Sequence, residues 1–165
     1  MAINKALFSS AKDDWETPPD FFERLNAEFG FTIDVCASKD NAKCEAYYTI
    51  KDDALKQEWT GICWQNPPYG RGVLKWIQKA YLSAMAGAIV VCLIPSRTDT
   101  VYWHSYVMRA TEIRFVRGRL KFVGAKYPAP FPSAVIVFDG SAQGLLNRVC
   151  GPRASSMNAR QYVII

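Results

Sequence analysis

Asn66-Pro67-Pro68-Tyr69 is the stretch of this chain whose residue types could do chemistry. It follows the apolar run Gly61-Ile62-Cys63-Trp64-Gln65, so it should sit where a buried strand gives way to a loop. Neither proline carries an N–H, so the strand ladder ends there, and Pro68 holds Pro67 in an extended conformation. The carbonyls around Asn66 and Pro67 are then fixed in direction and open to a guest. The exocyclic amine of a nucleobase, like a side-chain amide, is a poor nucleophile because its lone pair is delocalised into the neighbouring π system. Two acceptors, the Asn66 side-chain oxygen and the Pro67 carbonyl, would hold both amine hydrogens. They would favour the more pyramidal nitrogen that exists only as attack begins, and so act more strongly in the transition state than in the ground state. Tyr69 offers a face for a flat ring, and stacking of a base on an aromatic is worth about 1–3 kcal/mol. Asn66, Pro67, Pro68 and Tyr69 together read as a catalytic pocket for a planar group bearing an NH₂, with base and amide both open as substrate.

Such a pocket needs a sheet edge to carry it, and the apolar periods supply one. Thr17-Pro18-Pro19-Asp20 predicts a helix start with Thr17 as N-cap. Phe21, Phe22, Leu25 and Phe29 mark one face of that helix, and Gly30 ends it. Phe31 to Ala37 and Ile62 to Asn66 are strand candidates. Val73 to Ala86 predicts an amphipathic helix with Leu74, Ile77, Tyr81 and Met85 inward. Ala88 to Pro95 has the continuous apolar character of a strand buried on both faces of a parallel sheet. A helix is expected over Thr100 to Ala110, and strands over Ile113 to Val116 and Ser133 to Phe138. The alternation predicts an α/β fold whose ligands lie beyond the carboxyl ends of the strands.

With 165 residues the chain is expected to be a single domain, with residues 1–12 as a flexible N-terminus and residues 140–165 as a loop-rich C-terminal segment. Tyr162-Val163-Ile164-Ile165 is apolar, and either closes the sheet or meets a second subunit; a monomer or weak homodimer is expected. Apolar residues make up 50% and charged residues 21%, ordinary for a soluble globular protein. No apolar run is long enough to span a bilayer and no signal-peptide pattern opens the chain, which reads as cytoplasmic with no membrane partner. A net charge of +5 fits a polyanionic partner without demanding one. The 5 cysteines show no C-x-x-C spacing and the chain has 1 histidine, so neither a disulfide framework nor a metal site is expected.

Seven blocks in order carry a resemblance: Asp14-Trp15-Glu16-Thr17-Pro18, Ile33-Asp34-Val35-Cys36-Ala37, Asp53-Ala54-Leu55 before Trp59, Asn66-Pro67-Pro68-Tyr69-Gly70, Pro95-Ser96-Arg97-Thr98-Asp99-Thr100, Gly118-Arg119-Leu120-Lys121-Phe122 and Pro130-Phe131-Pro132-Ser133. Over most of residues 13–138 the chain resembles the Dam-type phage DNA N(6)-adenine methyltransferases. The resemblance implies S-adenosylmethionine as cofactor and adenine in double-stranded DNA as target. It also implies a phage protein acting inside a bacterial host cell, in the setting of restriction and modification. Asp34 is then expected at the cofactor's ammonium group, and Asp53, with Asp52 as the competing choice, at its adenine amine. Leu55 would pack nearby, Trp15, Thr17 and Pro18 would wall the cleft from the amino-terminal side, and Ala37 and Asn66 would complete it.

One departure bears on the fold. Related methyltransferases usually show a glycine-rich turn after the first strand, but here Asp34 is followed by Val35-Cys36-Ala37-Ser38-Lys39-Asp40. Asp34 and Asn66 are also only 32 positions apart. A parallel crossover through a helix takes a dozen or more residues. A trimmed Rossmann-like methyltransferase fold follows, with a mixed, mostly parallel sheet flanked by helices and a reduced region between its first and fourth strands.

An adenine inside a duplex must be flipped out to reach such a pocket, at a few kcal/mol offset by stacking and phosphate contacts. Arg71 and Lys75 after the tetrapeptide, and Arg97, Thr98, Thr100, Trp103 and His104 after the long apolar strand, are expected to contact DNA. Arg117, Arg119 and Lys121, with Arg114 alongside and Phe115 and Phe122 interleaved, form a second basic cluster. No segment is large enough for a separate recognition domain. Two other readings stay open: glutamine methylation in a protein, because a primary amide presents a similar NH₂, and a catalytically inactive DNA-binding homologue.

Overall fold

The computed structural model describes residues 14–141 and 162–165; the expectations for residues 1–12 and for most of 140–165 lie outside them. Among these residues seven strands form one sheet in the order β2-β1-β3-β4-β6-β5-β7. They are β1 (Ile33–Asp34), β2 (Ala46–Tyr47), β3 (Ile62–Gln65), β4 (Ile89–Pro95), β5 (Glu112–Phe115), β6 (Ser133–Asp139) and β7 (Tyr162–Ile164). Pairing is parallel for β2/β1, β1/β3, β3/β4 and β5/β7, and antiparallel where β6 inserts between β4 and β5. This is the expected mixed, mostly parallel α/β sheet. Because β6 reverses twice, β5 runs in the same direction as β4, and the carboxyl ends of β1 to β5 share one edge.

The apolar alternation along β4 decides the layers. Val91 and Leu93 point to one face with Trp64, Val135 and Val137, where helix α1 (Pro19–Phe29) brings Phe21, Phe22 and Leu25. Val90, Cys92 and Ile94 point to the other with Ile136 and Phe138, covered by α2 (Val73–Met85) and α3 (Val101–Ser105). A strand buried on both sides has no polar face to show, which is why Ala88 to Pro95 reads as an unbroken apolar run.

The trimmed region is as expected. Between β1 and β3 the chain makes only turns and the two-residue strand β2, with no helix in residues 35–61. The missing glycines are accounted for by conformation: none of residues 35–45 has a positive φ, so the loop needs no glycine. Cys36, Ala37 and Ser38 instead keep the wall thin through small side chains.

Four expectations are corrected. Thr17 is not the N-cap of α1; that position is Pro18, with Pro19 beginning the helix, and the Thr17 hydroxyl is used elsewhere. The inward face of α2 is Val73, Ile77, Ala80 and Ala84, while Leu74 and Met85 are 38% and 46% exposed. An alanine-rich face lets the helix approach the sheet more closely than the larger side chains would. The strand expected over Phe31 to Ala37 shortens to β1, because Asp34 turns the chain. The helix expected over Thr100 to Ala110 breaks into α3 and a 3-10 turn at Val107–Arg109. Tyr162–Ile164, whose role the sequence left open, extends the sheet edge beside β5.

Candidate active site

Asn66 leaves β3 at the carboxyl edge and is held by its amide nitrogen. Nδ2 donates to the backbone oxygen of Trp15 at 2.5 Å and to Thr17 Oγ1 at 2.9 Å. Both partners come from the segment preceding α1, which the Pro18-Pro19 start fixes in place. With the nitrogen committed, the Asn66 side-chain oxygen is left buried with no hydrogen-bond partner among the described residues. An orphaned buried acceptor costs about 1–3 kcal/mol. The sequence reading took this same oxygen as an acceptor for an amine.

Asn66 belongs to the wall of a cavity of about 940 Å³, in the size range of small-molecule sites. Asp34, Ala37, Asp53, Leu55, Trp15, Thr17, Asn66, Pro67 and Pro68 line it. Pro18 does not; its carbonyl instead accepts from Phe22 N in the first turn of α1. Asp34 is 3% exposed, and its carboxylate oxygens accept from Cys36 N and Lys43 N, both at 3.1 Å. Burial pushes its pKa above the ordinary aspartate value, against the opposing pull of those two N–H groups and the Lys43 charge. The same two bonds fold residues 35–43 around the carboxylate and substitute for a glycine turn. Lys43 also pairs with Glu16 at 3.1 Å, tying this loop to the segment that holds Asn66.

Of the two acids near position 53, Asp52 is spent locally, accepting from Thr49 N and Oγ1 at 2.7 Å each. Asp53 is on the cavity wall, with φ 49° and its carboxylate 2.7 Å from Lys56 Nζ on the exposed rim. Aspartate is among the few residues that tolerate this left-handed region. Tyr47, Tyr48, Ile50 and Trp76 also line the cavity and were missed in the sequence. Tyr47 closes a strand of two residues, too short to leave a period, and Trp76 sits on a helix face that otherwise reads as exposed.

Tyr69 does not present the open stacking face expected of it. Its ring is 2% exposed, edge-on to Phe131 at 5.5 Å and to Phe122 at 6.1 Å, and its hydroxyl donates to Leu93 O. The physical reason is the β5–β6 connection, residues 116–132, which folds back over the sheet and plants both phenylalanines on the tyrosine. Trp15 completes the cluster, 5.2 Å from Phe122 and 5.3 Å from Phe131. Burial holds the Tyr69 phenol well above its usual pKa, so it is protonated at any working pH. Cys36, pushed up to about 12 by burial, is likewise a poor nucleophile.

The basic residues divide. Arg71, Lys75, Arg97, Thr98, His104, Arg117, Arg119 and Lys121 are exposed. Arg71, Arg97 and Arg117 to Lys121 follow β3, β4 and β5, so they emerge at the edge that carries Asn66. Thr100 is half-buried and its hydroxyl donates to Arg97 O at 2.7 Å. Trp103 is 3% exposed in the core beneath α3 and cannot meet DNA there; its spacing on a short amphipathic helix made it core. Arg114 is also withdrawn, ion-paired to Glu28 and Glu112. Among the described residues no group of three His, Cys, Asp or Glu is arranged to hold a metal ion, and no helix is long and apolar enough to cross a membrane.

Comparison with known proteins shows what this chain is similar to. Over 114 residues the chain is 27% identical to the DNA N-6-adenine-methyltransferase of Escherichia phage T1, covering 67% of this chain and 48% of the phage protein. It is 43% identical over 65 residues to "Putative methyltransferase YfdM" of Escherichia coli (strain K12), covering 34% of this chain and 71% of that relative. The chain thus spans about half the length of the phage enzyme. The family model for DNA N-6-adenine-methyltransferase (Dam) matches residues 5–139, most of the chain, and the chain belongs to that family.

Proposed function

We propose that the protein transfers a methyl group from S-adenosylmethionine to the exocyclic amine of adenine in double-stranded DNA, the base being turned out of the duplex into the pocket at Asn66. The observation that carries this reading is the Asn66 side-chain oxygen, buried, unpartnered and locked in direction by Trp15 and Thr17. A locked acceptor does not reorganise as charge develops on the amine, so its full strength is felt in the transition state.

The residues fit the cofactor. A buried carboxylate at Asp34 suits an ammonium group, Asp53 on the rim suits an amine or hydroxyl donor, and Leu55 and Ala37 supply apolar wall. When bound, S-adenosylmethionine supplies an electrophilic methyl group on a sulfonium. The chain's own work is to hold the amine with Asn66 and the Pro67 carbonyl, keep water out with the aromatic cluster, and grip phosphates with Arg71, Lys75, Arg97, Thr98, His104, Arg117, Arg119 and Lys121. No charged base near Asn66 is required, since the amine proton becomes acidic once the methyl is transferred and can leave through the acceptors to solvent.

The amide reading loses ground because the family and the phage relative are DNA adenine methyltransferases by name. An inactive module would have no use for a buried acceptor held unpartnered. Incubation with duplex DNA and methyl-labelled S-adenosylmethionine, followed by digestion to nucleosides, tests the reading: label is expected in N6-methyl-2′-deoxyadenosine, and label in deoxycytidine, in protein or nowhere would refute it.

A further inference from the structure

A second orphan belongs to a residue that lines the same cavity as Asn66. Trp15 Nε1 is buried with no hydrogen-bond partner among the described residues, and the backbone oxygen of the same residue is the acceptor that anchors Asn66. The indole sits in the aromatic cluster of Phe122, Phe131 and Tyr69. A phenylalanine would fill that cluster without burying an unpaired N–H, which costs about 1–3 kcal/mol. The donor therefore needs an explanation that packing does not supply.

An acceptor and a donor that meet one guest together complement one edge of a ring: an NH₂ adjoining a ring nitrogen that carries a lone pair. Adenine presents this pattern with its N6 amine and N1. Guanine presents the reverse at that edge, a carbonyl oxygen beside an N–H. We infer that Trp15 reads the target base, its indole N–H donating to N1 of the adenine whose amine Asn66 holds. This rests on the proposed reaction and moves Trp15 from the cofactor to the substrate side of the site. Phe122 and Phe131 occupy the space over Tyr69, and both lie on the β5–β6 connection, which has neither helix nor strand in residues 116–132. Entry of the base displaces them and frees the Tyr69 ring as a stacking surface. A donor on N1 withdraws density from the ring and does not help the amine attack. Its contribution is to binding, and it appears in KM rather than kcat.

The test compares duplexes carrying adenine or 1-deazaadenine, which lacks the N1 lone pair, at the position the protein methylates. Wild type is expected to lose about three- to ten-fold in kcat/KM on the deaza base, the range of one neutral hydrogen bond, mostly through KM. Trp15→Phe should be lowered by the same factor on adenine, show no further loss on 1-deazaadenine, and bind S-adenosylmethionine with unchanged affinity. Wild type indifferent to N1 would overturn the inference without any variant. So would a Trp15→Phe protein that still discriminates, or one that weakens cofactor binding with discrimination intact. Absence of any methylation of adenine by wild type would instead sink the proposed function itself.

Discussion

The Asn66 amide donates to the Thr17 hydroxyl at 2.9 Å across 49 positions of sequence. That bond joins two motifs that are far apart in the chain, Trp15-Glu16-Thr17-Pro18 and Asn66-Pro67-Pro68-Tyr69, and with the bond to the Trp15 backbone oxygen it commits the nitrogen end of the Asn66 side chain. Thr17→Val keeps the shape and removes the acceptor. It should cost about 1 kcal/mol of stability, as a lost buried hydrogen bond. kcat should fall more than KM rises, because the Asn66 amide, then held by the Trp15 backbone oxygen alone, is less firmly fixed. Thermal unfolding and steady-state kinetics of the variant check both effects.

Asp34 gives the site a pH signature. Its carboxyl titrates above the ordinary aspartate range because it is buried, and only the ionised form can hold an ammonium group. Cofactor affinity should fall as pH drops through this raised value, at higher pH than an exposed aspartate would give. The folding linkage has the opposite sign: the folded state binds this proton more readily than the unfolded chain. The group's penalty on stability is therefore present above its folded pKa and relieved as pH falls through it. Calorimetric titration of S-adenosylmethionine across the acid range, beside thermal unfolding of the free protein, separates the trends. Asp34→Asn should flatten the first.

Tyr69 separates ring from hydroxyl. Tyr69→Phe loses the bond to Leu93 O, about 1 kcal/mol, and should keep most activity if stacking is the ring's role. Tyr69→Ala opens a cavity in the aromatic cluster and should cost about 3–5 kcal/mol, readable in denaturant unfolding alongside loss of turnover.

The exposed cations predict salt dependence. Arg97→Ala and Arg119→Ala should each reduce the slope of log K for DNA against log salt by about one phosphate contact, close to 0.9. Arg114→Ala should leave the slope unchanged while destabilising the fold, because that guanidinium is already held by Glu28 and Glu112. Fluorescence anisotropy on one duplex over a salt series distinguishes them.

The legible parts of this molecule were those governed by short-range rules. Ile62 to Asn66 breaks where prolines end the ladder, Ala88 to Pro95 is apolar throughout because both faces are buried, and the spacing from Asp34 to Asn66 left no room for crossover helices. What was hidden depended on long-range packing. Nothing local in Tyr69 says that Phe122 and Phe131 cover it, and Trp103 and Arg114 look like DNA contacts until the core and Glu28 claim them. Thr17 looked like a helix cap because its neighbours are prolines, while its hydroxyl was needed by a residue on another strand.

The central claim is that the Asn66 side-chain oxygen holds the target amine in the transition state. Single-turnover transfer of labelled methyl to DNA by wild type and Asn66→Ala, with DNA and cofactor affinities measured on the same proteins, tests it most directly. The account predicts that Asn66→Ala transfers about 10² to 10³-fold more slowly, with both affinities within a few-fold of wild type. Transfer to adenine at an undiminished rate by Asn66→Ala would contradict it.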